Sequence, residues 1–184
     1  GGTYSLESSG GNSTLDGLKH TLSVPMSPSY VSFNILTTAP FNTRSTGMGV
    51  TLGGSVFSSD NLVSVFMNPF SGDRISTVNN QFNNTGIIFT TNHWYHVELK
   101  NFDYDNSTVD FYLDGVLIGT AAMTPNVDEI SEIRIDHFSS NHPNCYLDNL
   151  VVECDEPTPT TTIEIDDVTK TEGNGWGFNY YTFT

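Results

Sequence analysis

Residues 95–118 read YHVELKNFDYDNSTVDFYLDGVLI, and this stretch decides the fold. Apolar and polar side chains alternate along most of it with a period of two, which is the pattern of a β-strand with one buried face. Near its end, Asp114-Gly115 lies between two apolar triplets, and Asp-Gly in that position is typical of a tight β-hairpin. The stretch therefore predicts antiparallel strands that lie side by side in one sheet.

The same alternation occurs on both sides of this stretch, and a helical period is almost absent. It appears in residues 31–35, 48–52 and 133–135, while residues 146–152 are mostly apolar on both faces, as a central strand is. Many short strands at this spacing predict an all-β protein, an antiparallel two-sheet sandwich with one shared core. Seven residues are predicted to be buried in that core: Val31, Phe33, Ile35, Val97, Leu99, Phe111 and Leu113.

The charge of the chain excludes several classes of partner. Its 184 residues include 21 acidic and 6 basic ones, for a formal net charge of −15. A nucleic-acid backbone would be repelled, and no apolar run approaches the roughly 20 residues that span a bilayer, so we expect no nucleic-acid partner and no membrane insertion. No secretory signal opens the chain, so we expect a mature product or a segment of a longer one. An acidic, lysine-poor β protein is typical of a secreted or cell-surface location.

The composition changes after Cys154. Residues 155–162, DEPTPTTT, favour an extended linker. Residues 163–184 restart a strand pattern, but they are too few to bury a core of their own. The predicted organisation is therefore a domain at 1–154, a linker at 155–162, and the N-terminal strand fragment of a second β-sandwich at 163–184.

Three motifs occur in a characteristic order along the first domain. They are WYHV at 94–97, YLDG at 112–115 and DNLVV at 148–152. This order resembles that of laminin-G-like modules, concanavalin A-type jelly rolls of large bacterial surface proteins and adhesins. The resemblance covers roughly residues 1–154. It implies a jelly-roll fold and a role in cell adhesion or carbohydrate binding.

The tail resembles a different family. Residues 163–175 and 181–184 are similar to the opening strands of a Calx-beta domain, and the sequence stops where the remaining strands would begin. Strands without neighbours have unpaired edges that seek partners. We predict that the tail is held by β-pairing or docking, either onto residues 1–154 or onto another polypeptide such as export or assembly machinery.

The resemblance also raises an enzymatic function, because jelly rolls of this type include glucanases. Their catalytic strand carries E-x-D-x-x-E, which brings carboxylates together on one face. In the nearest segment, Glu132, Arg134 and Asp136 share a strand face, but an arginine stands where the central carboxylate belongs. We interpret these residues as solvent-facing. Because nucleophile-elbow and zinc-protease motifs are also absent, we expect no enzyme.

Hard oxygen ligands are concentrated in residues 103–110, DYDNSTVD. Carboxylate and carbonyl oxygens are the ligands that calcium prefers, so Asp103, Asp105 and Asp110 are the candidate metal ligands and calcium the candidate cofactor. The alternative is that Asp and Asn occur here because they bend and cap the backbone of turns.

Aromatic residues supply the candidate sugar-binding positions, because flat aromatic faces pack against pyranose rings. Trp94 and Tyr112 are the candidates. Trp94 and its neighbour Tyr95 lie on opposite strand faces, so one of the two is exposed, and the sequence does not choose between them.

Cys145 and Cys154 are the only cysteines. On one extended strand they would lie roughly 30 Å apart, far beyond the about 7 Å that a disulfide allows between Cα atoms. Their odd spacing also predicts opposite faces. Unpaired thiols are therefore favoured.

The predicted function is a non-enzymatic adhesion or glycan-binding module of a secreted, multi-domain bacterial protein, whose partner is a polysaccharide or a cell-surface glycan. Two alternatives stay open. One is a structural spacer without a ligand, and the other is a glycan-cleaving enzyme of the jelly-roll glucanase type.

Overall fold

The computed structural model describes residues 6–8, 15–38, 47–54, 58–67, 74–78, 82–138, 144–154, 163–164 and 179–182. In these ranges the chain forms strands and turns and no helix. The strands in chain order are β1 (Leu6–Ser8), β2 (Leu15–Met26), β3 (Pro28–Thr37), β4 (Gly47–Gly53), β5 (Asn61–Met67), β6 (Arg74–Val78), β7 (Phe82–Ile88), β8 (Tyr95–Asp103), β9 (Thr108–Leu113), β10 (Val116–Ala122), β11 (Ile130–Phe138), β12 (Cys145–Cys154), β13 (Ile163–Glu164) and β14 (Asn179–Thr182).

The described strands form two sheets. Sheet A has the order β1-β12-β3-β8-β9-β10, with β13 also paired to β12, and sheet B has the order β14-β2-β11-β4-β5-β6-β7. Neighbouring strands are antiparallel except for β14, which runs parallel to β2. The predicted all-β jelly-roll sandwich is confirmed.

The core lies between the two sheets, where described strands of both sheets bury apolar side chains. The seven residues predicted to be buried are all buried. Sheet B adds a matching inner face, which includes Val50, Val65, Ile133 and Ile135. Two inner faces that interdigitate are what a β-sandwich needs, so period-two alternation is a sufficient guide to this core.

The Asp114-Gly115 hairpin joins β9 to β10 as predicted. Both residues have positive φ, 51° and 77°, which a two-residue type I′ turn requires. Asp114 also fastens the turn to β8, because its backbone N–H donates to His96 O and its Oδ1 accepts from His96 N, both at 2.8 Å. The hairpin thereby fixes the start of β8 beside the end of β9.

Both cysteines lie on β12 with buried thiols, and they are not joined by a disulfide, as the sequence favours. The expectation that they point to opposite faces is wrong. Asn149 adopts φ 53° and the pairing with β3 shifts between Asp148 and Val151, which marks a β-bulge. One extra residue changes the alternation, so both ends of the strand turn the same way.

The described part of the tail pairs with the first domain, which confirms the predicted β-pairing. Ile163 pairs with Val152 on sheet A, and Tyr181 pairs with Leu18 on sheet B. The linker at 155–162 and most of the segment that resembles a Calx-beta domain lie outside the described residues. Within the described ranges, no helix is long and apolar enough to cross a membrane.

Candidate functional site

The outward face of sheet A carries polar and aromatic side chains on β3, β8 and β9. Inward neighbours such as Phe33 pack in the core, and alternation turns the intervening residues to the opposite face. The register then pairs Tyr30 with Lys100, and Glu98 with Tyr112. We name this group the sheet A cluster, and its members are Tyr30, Asn34, His96, Glu98, Lys100 and Tyr112.

Glu98 is at the centre of the cluster. Its Oε1 accepts a hydrogen bond from Tyr30 Oη at 3.0 Å and lies 2.7 Å from Lys100 Nζ. His96 Nε2 lies 3.9 Å from the same oxygen. The hydrogen bonds from Lys100 and Tyr30 hold the pKa of Glu98 below its usual value, although burial acts in the opposite direction. Glu98 is therefore a carboxylate at neutral pH.

Lys100 connects this carboxylate to two aromatic rings. Its ammonium lies 4.9 Å from the centre of the Tyr112 ring and 5.8 Å from that of Tyr30, within the range of a cation–π interaction. The hydrogen bond to Glu98 raises the pKa of Lys100. Burial raises the pKa of Tyr30, so its hydroxyl remains a donor at neutral pH. The cluster thus combines a carboxylate, a cation and aromatic rings.

His96 extends the cluster toward β3. Its Nδ1 lies 2.8 Å from Asn34 Oδ1, across the pair that these residues form in the sheet. Because an amide oxygen only accepts, this contact requires the proton of a neutral ring to be on Nδ1. Nε2 then lies on the side of the ring that faces Glu98, 3.9 Å from its Oε1.

The structure resolves the choice between Trp94 and Tyr95. Trp94 immediately precedes β8 and is 41% exposed, whereas Tyr95 is 8% exposed. Tyr95 Oη accepts a hydrogen bond from Thr90 N at 2.6 Å, and its ring packs edge-on against His93. Trp94 is therefore the aromatic residue available to a ligand at this end of β8.

Tyr112, the other predicted sugar-binding residue, lies in the sheet A cluster. Tyr30, Glu98 and Lys100, which join it in the cluster, were not predicted from the sequence. The available signal was alternation, since Tyr30 lies on the strand face opposite Val31. The sequence does not show the register that pairs β3 with β8, and so it does not bring Tyr30 to Glu98, 68 positions away along the chain.

Asp103, Asp105 and Asp110 line one open depression of about 670 Å³ at the turn between β8 and β9. Asp103 accepts hydrogen bonds from Asn106 N and Nδ2, which lower its pKa. Asp110 accepts from Asn101 Nδ2 and Thr120 Oγ1, each at 2.9 Å. In the described ranges, no group of three or more His, Cys, Asp or Glu side chains has the arrangement of a metal site. Calcium binding here stays a prediction.

The outward face of sheet B carries a charged row on β11, Glu132, Arg134 and Asp136, which the sequence predicts to be solvent-facing. That interpretation is wrong for Arg134 and Asp136, which are buried, and Asp136 is 0% exposed. Asp136 pairs with Gly49, and Gly49 pairs with Phe66, so Phe66 and Asp136 lie in one row across three strands. Phe66 is also fully buried. This part of the face is therefore covered.

The charges of the row compensate one another. Arg134 Nε lies 3.2 Å from Asp136 Oδ1, and Arg134 Nη1 lies 2.7 Å from Glu132 Oε1. Thr51 Oγ1 donates to Asp136 Oδ2 at 2.8 Å, and Lys19 pairs with Glu132 at 3.2 Å. Burial raises the pKa of Asp136, although Arg134 and Thr51 act against it.

Comparison with known proteins places the chain by its fold. No family model matches it, and no curated protein sequence matches it. Similar solved structures include an endo-β-1,4-glucuronan lyase from the fungus Trichoderma reesei, at 12% identity and a TM-score of 0.53 over 78% of this chain and 76% of the lyase. A pentraxin from Limulus polyphemus has 15% identity and a TM-score of 0.50 over 78% of this chain and 72% of the pentraxin.

A sialidase is also similar, at 13% identity and a TM-score of 0.52. The match covers 72% of this chain but only 14% of the sialidase, so the chain spans a small part of that protein. At these identities each likeness shows a shared fold.

The expectation that the chain is not an enzyme has to be corrected. It rests on the absence of glucanase, nucleophile-elbow and zinc-protease motifs, yet the similar structures include a glucuronan lyase and a sialidase. The same fold therefore occurs in proteins named as enzymes, and the lack of these motifs does not exclude an enzymatic function.

Proposed function

We propose that this chain is a carbohydrate-binding module and that it binds a polysaccharide or a cell-surface glycan through the sheet A cluster. The observation that carries the proposal is the arrangement of Tyr30 and Tyr112 around the ion pair of Glu98 and Lys100 on an outward sheet face. Trp94 adds an exposed aromatic surface at the start of β8. The proposed setting is adhesion by a secreted or cell-surface protein.

The chemistry of the cluster suits a sugar. A pyranose ring has an apolar face of C–H groups, which packs on aromatic rings, and a rim of hydroxyl groups, which form hydrogen bonds. Glu98 and Asn34 supply acceptors for that rim, and Lys100 supplies a donor. Hydrogen bonds to charged groups are stronger than neutral ones, so the ion pair can orient the sugar.

The same features argue against the structural-spacer alternative. A spacer would have no need of a large exposed aromatic side chain, and Trp94 is 41% exposed.

Affinity electrophoresis and titration calorimetry with a panel of soluble polysaccharides test the proposal. Trp94→Ala and Tyr112→Ala should each weaken binding about tenfold, because each removes an aromatic packing surface. Val24→Ala is the matched control, since Val24 is an exposed apolar residue on sheet B and its loss should leave binding unchanged. Failure of the wild-type chain to bind any polysaccharide in the panel would favour the spacer.

Cleavage of the bound glycan is a second candidate function. It is favoured by the 3.9 Å contact of His96 with Glu98, to which Tyr30 also donates, because these side chain types transfer protons in catalysis. The test is to incubate the chain with each polysaccharide that it binds and to measure new chain ends. Glu98→Gln and His96→Ala should abolish any product, whereas Val24→Ala should not.

A further inference from the structure

The cation of the sheet A cluster is already engaged within the protein. Lys100 is the only Lys or Arg of β3, β8 and β9. Its ammonium lies 2.7 Å from Glu98 Oε1 and over the rings of Tyr30 and Tyr112. A negatively charged sugar would therefore find the charge of Lys100 compensated.

Freeing Lys100 for such a sugar would be costly. A sugar carboxylate that took the ammonium would leave Glu98 without its closest partner. The side chain of Glu98 is only 11% exposed, so water could replace that partner poorly. Glu98 would then lose a donor to a carboxylate that water reaches poorly, which is unfavourable because a little-exposed charge keeps fewer compensating partners.

The negative charge around Lys100 also disfavours binding of an anionic sugar. Lys100 pairs across the sheet with Asp110, and Asp114 flanks His96 at the hairpin. Glu98, Asp110 and Asp114 together outnumber the one lysine, and the whole chain carries −15. Like charges at short range disfavour binding and slow the approach of a partner.

A neutral sugar meets none of these obstacles. Its hydroxyl groups do not compete for the ammonium of Lys100, so Glu98 Oε1 keeps its contacts with Tyr30 and Lys100. The internal ion pair then orients the carboxylate and is not broken by the ligand. We infer that the sheet A cluster selects uncharged glycans and rejects uronate polysaccharides, an inference that rests on the proposed function.

The sharpest test compares polysaccharides that differ only in the sugar carboxylate. Soluble β-1,4-glucan and β-1,4-glucuronan oligosaccharides of equal length form one pair, and β-1,4-mannan and β-1,4-mannuronan oligosaccharides form another. Titration calorimetry should find at least one neutral member that binds about tenfold or more tightly than its uronate partner. Added salt should leave the neutral affinity nearly unchanged, because no net charge is neutralised.

Glu98→Gln tests the cause of the selection. The substitution removes the internal partner of Lys100, so the ratio of neutral to uronate affinity should fall about tenfold. Glu129→Gln makes the same chemical change at an exposed position and should keep the wild-type ratio. A thermal melt of each variant confirms that it is folded.

The outcomes separate the inference from the proposed function. Tighter or equal binding of the uronate members would overturn the inference and leave carbohydrate binding intact. Binding of neither member of either pair, together with no binding in the wider panel, would overturn both. Neutral binding with an unchanged ratio in Glu98→Gln would refute the role given to the ion pair.

Discussion

The carboxylate of Glu98 is ionised in the folded protein because Lys100 and Tyr30 hydrogen-bond to it, and its pKa is accordingly lowered. A lowered pKa in the folded state means that the unfolded chain binds the proton more readily. The stability contributed by Glu98 is then present above its ordinary value of 4.5 and is lost as the pH falls below it through the lowered pKa.

We therefore expect Glu98→Gln to have a lower melting temperature than the wild type at neutral pH, with the difference shrinking as the pH falls below 4.5. Thermal melts over this range measure it. Glu129→Gln should follow the wild-type curve throughout. A difference that stays constant with pH would show that the charge of Glu98 contributes nothing.

Arg134 and Asp136 form a buried pair. The contribution of Asp136 to stability depends on pH in the opposite sense to that of Glu98. Burial raises the pKa of Asp136, so the folded state holds its proton more tightly than the unfolded chain does. The contribution of Asp136 to stability therefore falls as the pH rises from its ordinary value of 3.8 through the raised pKa.

Arg134→Met should destabilise the fold by about 3–5 kcal/mol at neutral pH, because Asp136 loses the cation that compensates it. Adding Asp136→Asn to that variant should recover part of the loss, since the uncompensated charge is removed. Denaturant unfolding of the two variants measures both values. A double variant no more stable than Arg134→Met would indicate that packing, and not charge, is responsible.

At the scale of elements, two glycines of the β9–β10 hairpin have equal space around them but different backbone conformations. A Cβ added at Gly115 or at Gly119 would meet nothing within 4 Å, but only Gly115 has a positive φ, 77°. Gly115→Ala should therefore cost about 1–2 kcal/mol from backbone strain alone. Gly119→Ala should be nearly neutral. Equal effects in denaturant unfolding would contradict this account of the turn.

The turn between β8 and β9 is where the calcium prediction is tested. Three carboxylates line one depression there, but Asp103 and Asp110 already accept hydrogen bonds from neighbours. A ligand that binds only the folded state stabilises it by RT ln(1 + [L]/Kd). Millimolar calcium should raise the melting temperature of the wild type and not that of Asp105→Asn, and a chelator should reverse the rise. No change in the melting temperature of the wild type would contradict calcium binding at this turn.

The sequence predicts the elements better than their surroundings. Alternation identified β3, β8 and β9 and the residues that they bury, because one period of two is repeated in each strand. It could not place Tyr30 beside Glu98, since the register between distant strands depends on the whole sheet. Nor could it foresee the bulge at Asn149 or the cover over Asp136, because alternation assigns a residue to a face and does not say what lies on that face.

At the scale of the whole molecule, the end of the described chain joins both sheets. The strand Ile163–Glu164 adds to sheet A through β12, and Asn179–Thr182 adds to sheet B through β2. Unpaired strand edges promote association with other chains. A chain that ends at Cys154 should therefore melt at a lower temperature and aggregate more readily.

Thermal melts and light scattering of the full and shortened chains test this expectation. Substituting prolines at Tyr180 and Thr182 in the full chain provides a second variant, because proline cannot donate the hydrogen bonds of a ladder. Both variants should lose stability. Identical melting of all three chains would show that the paired tail strands add nothing to the domain.

The two cysteines at the ends of β12 allow local opening of the sandwich to be measured at each end of that strand. Both thiols are buried, and burial raises the pKa of Cys145 to about 12, so the reactive thiolate is scarce in the closed state. A thiol reagent will therefore modify each cysteine at a rate governed by how often its end of the strand opens. Cys154 ends β12 close to Val152, which pairs with the tail strand β13, and Cys145 lies at the other end of β12. Mass spectrometry of a labelling time course would resolve which end of the sandwich opens first.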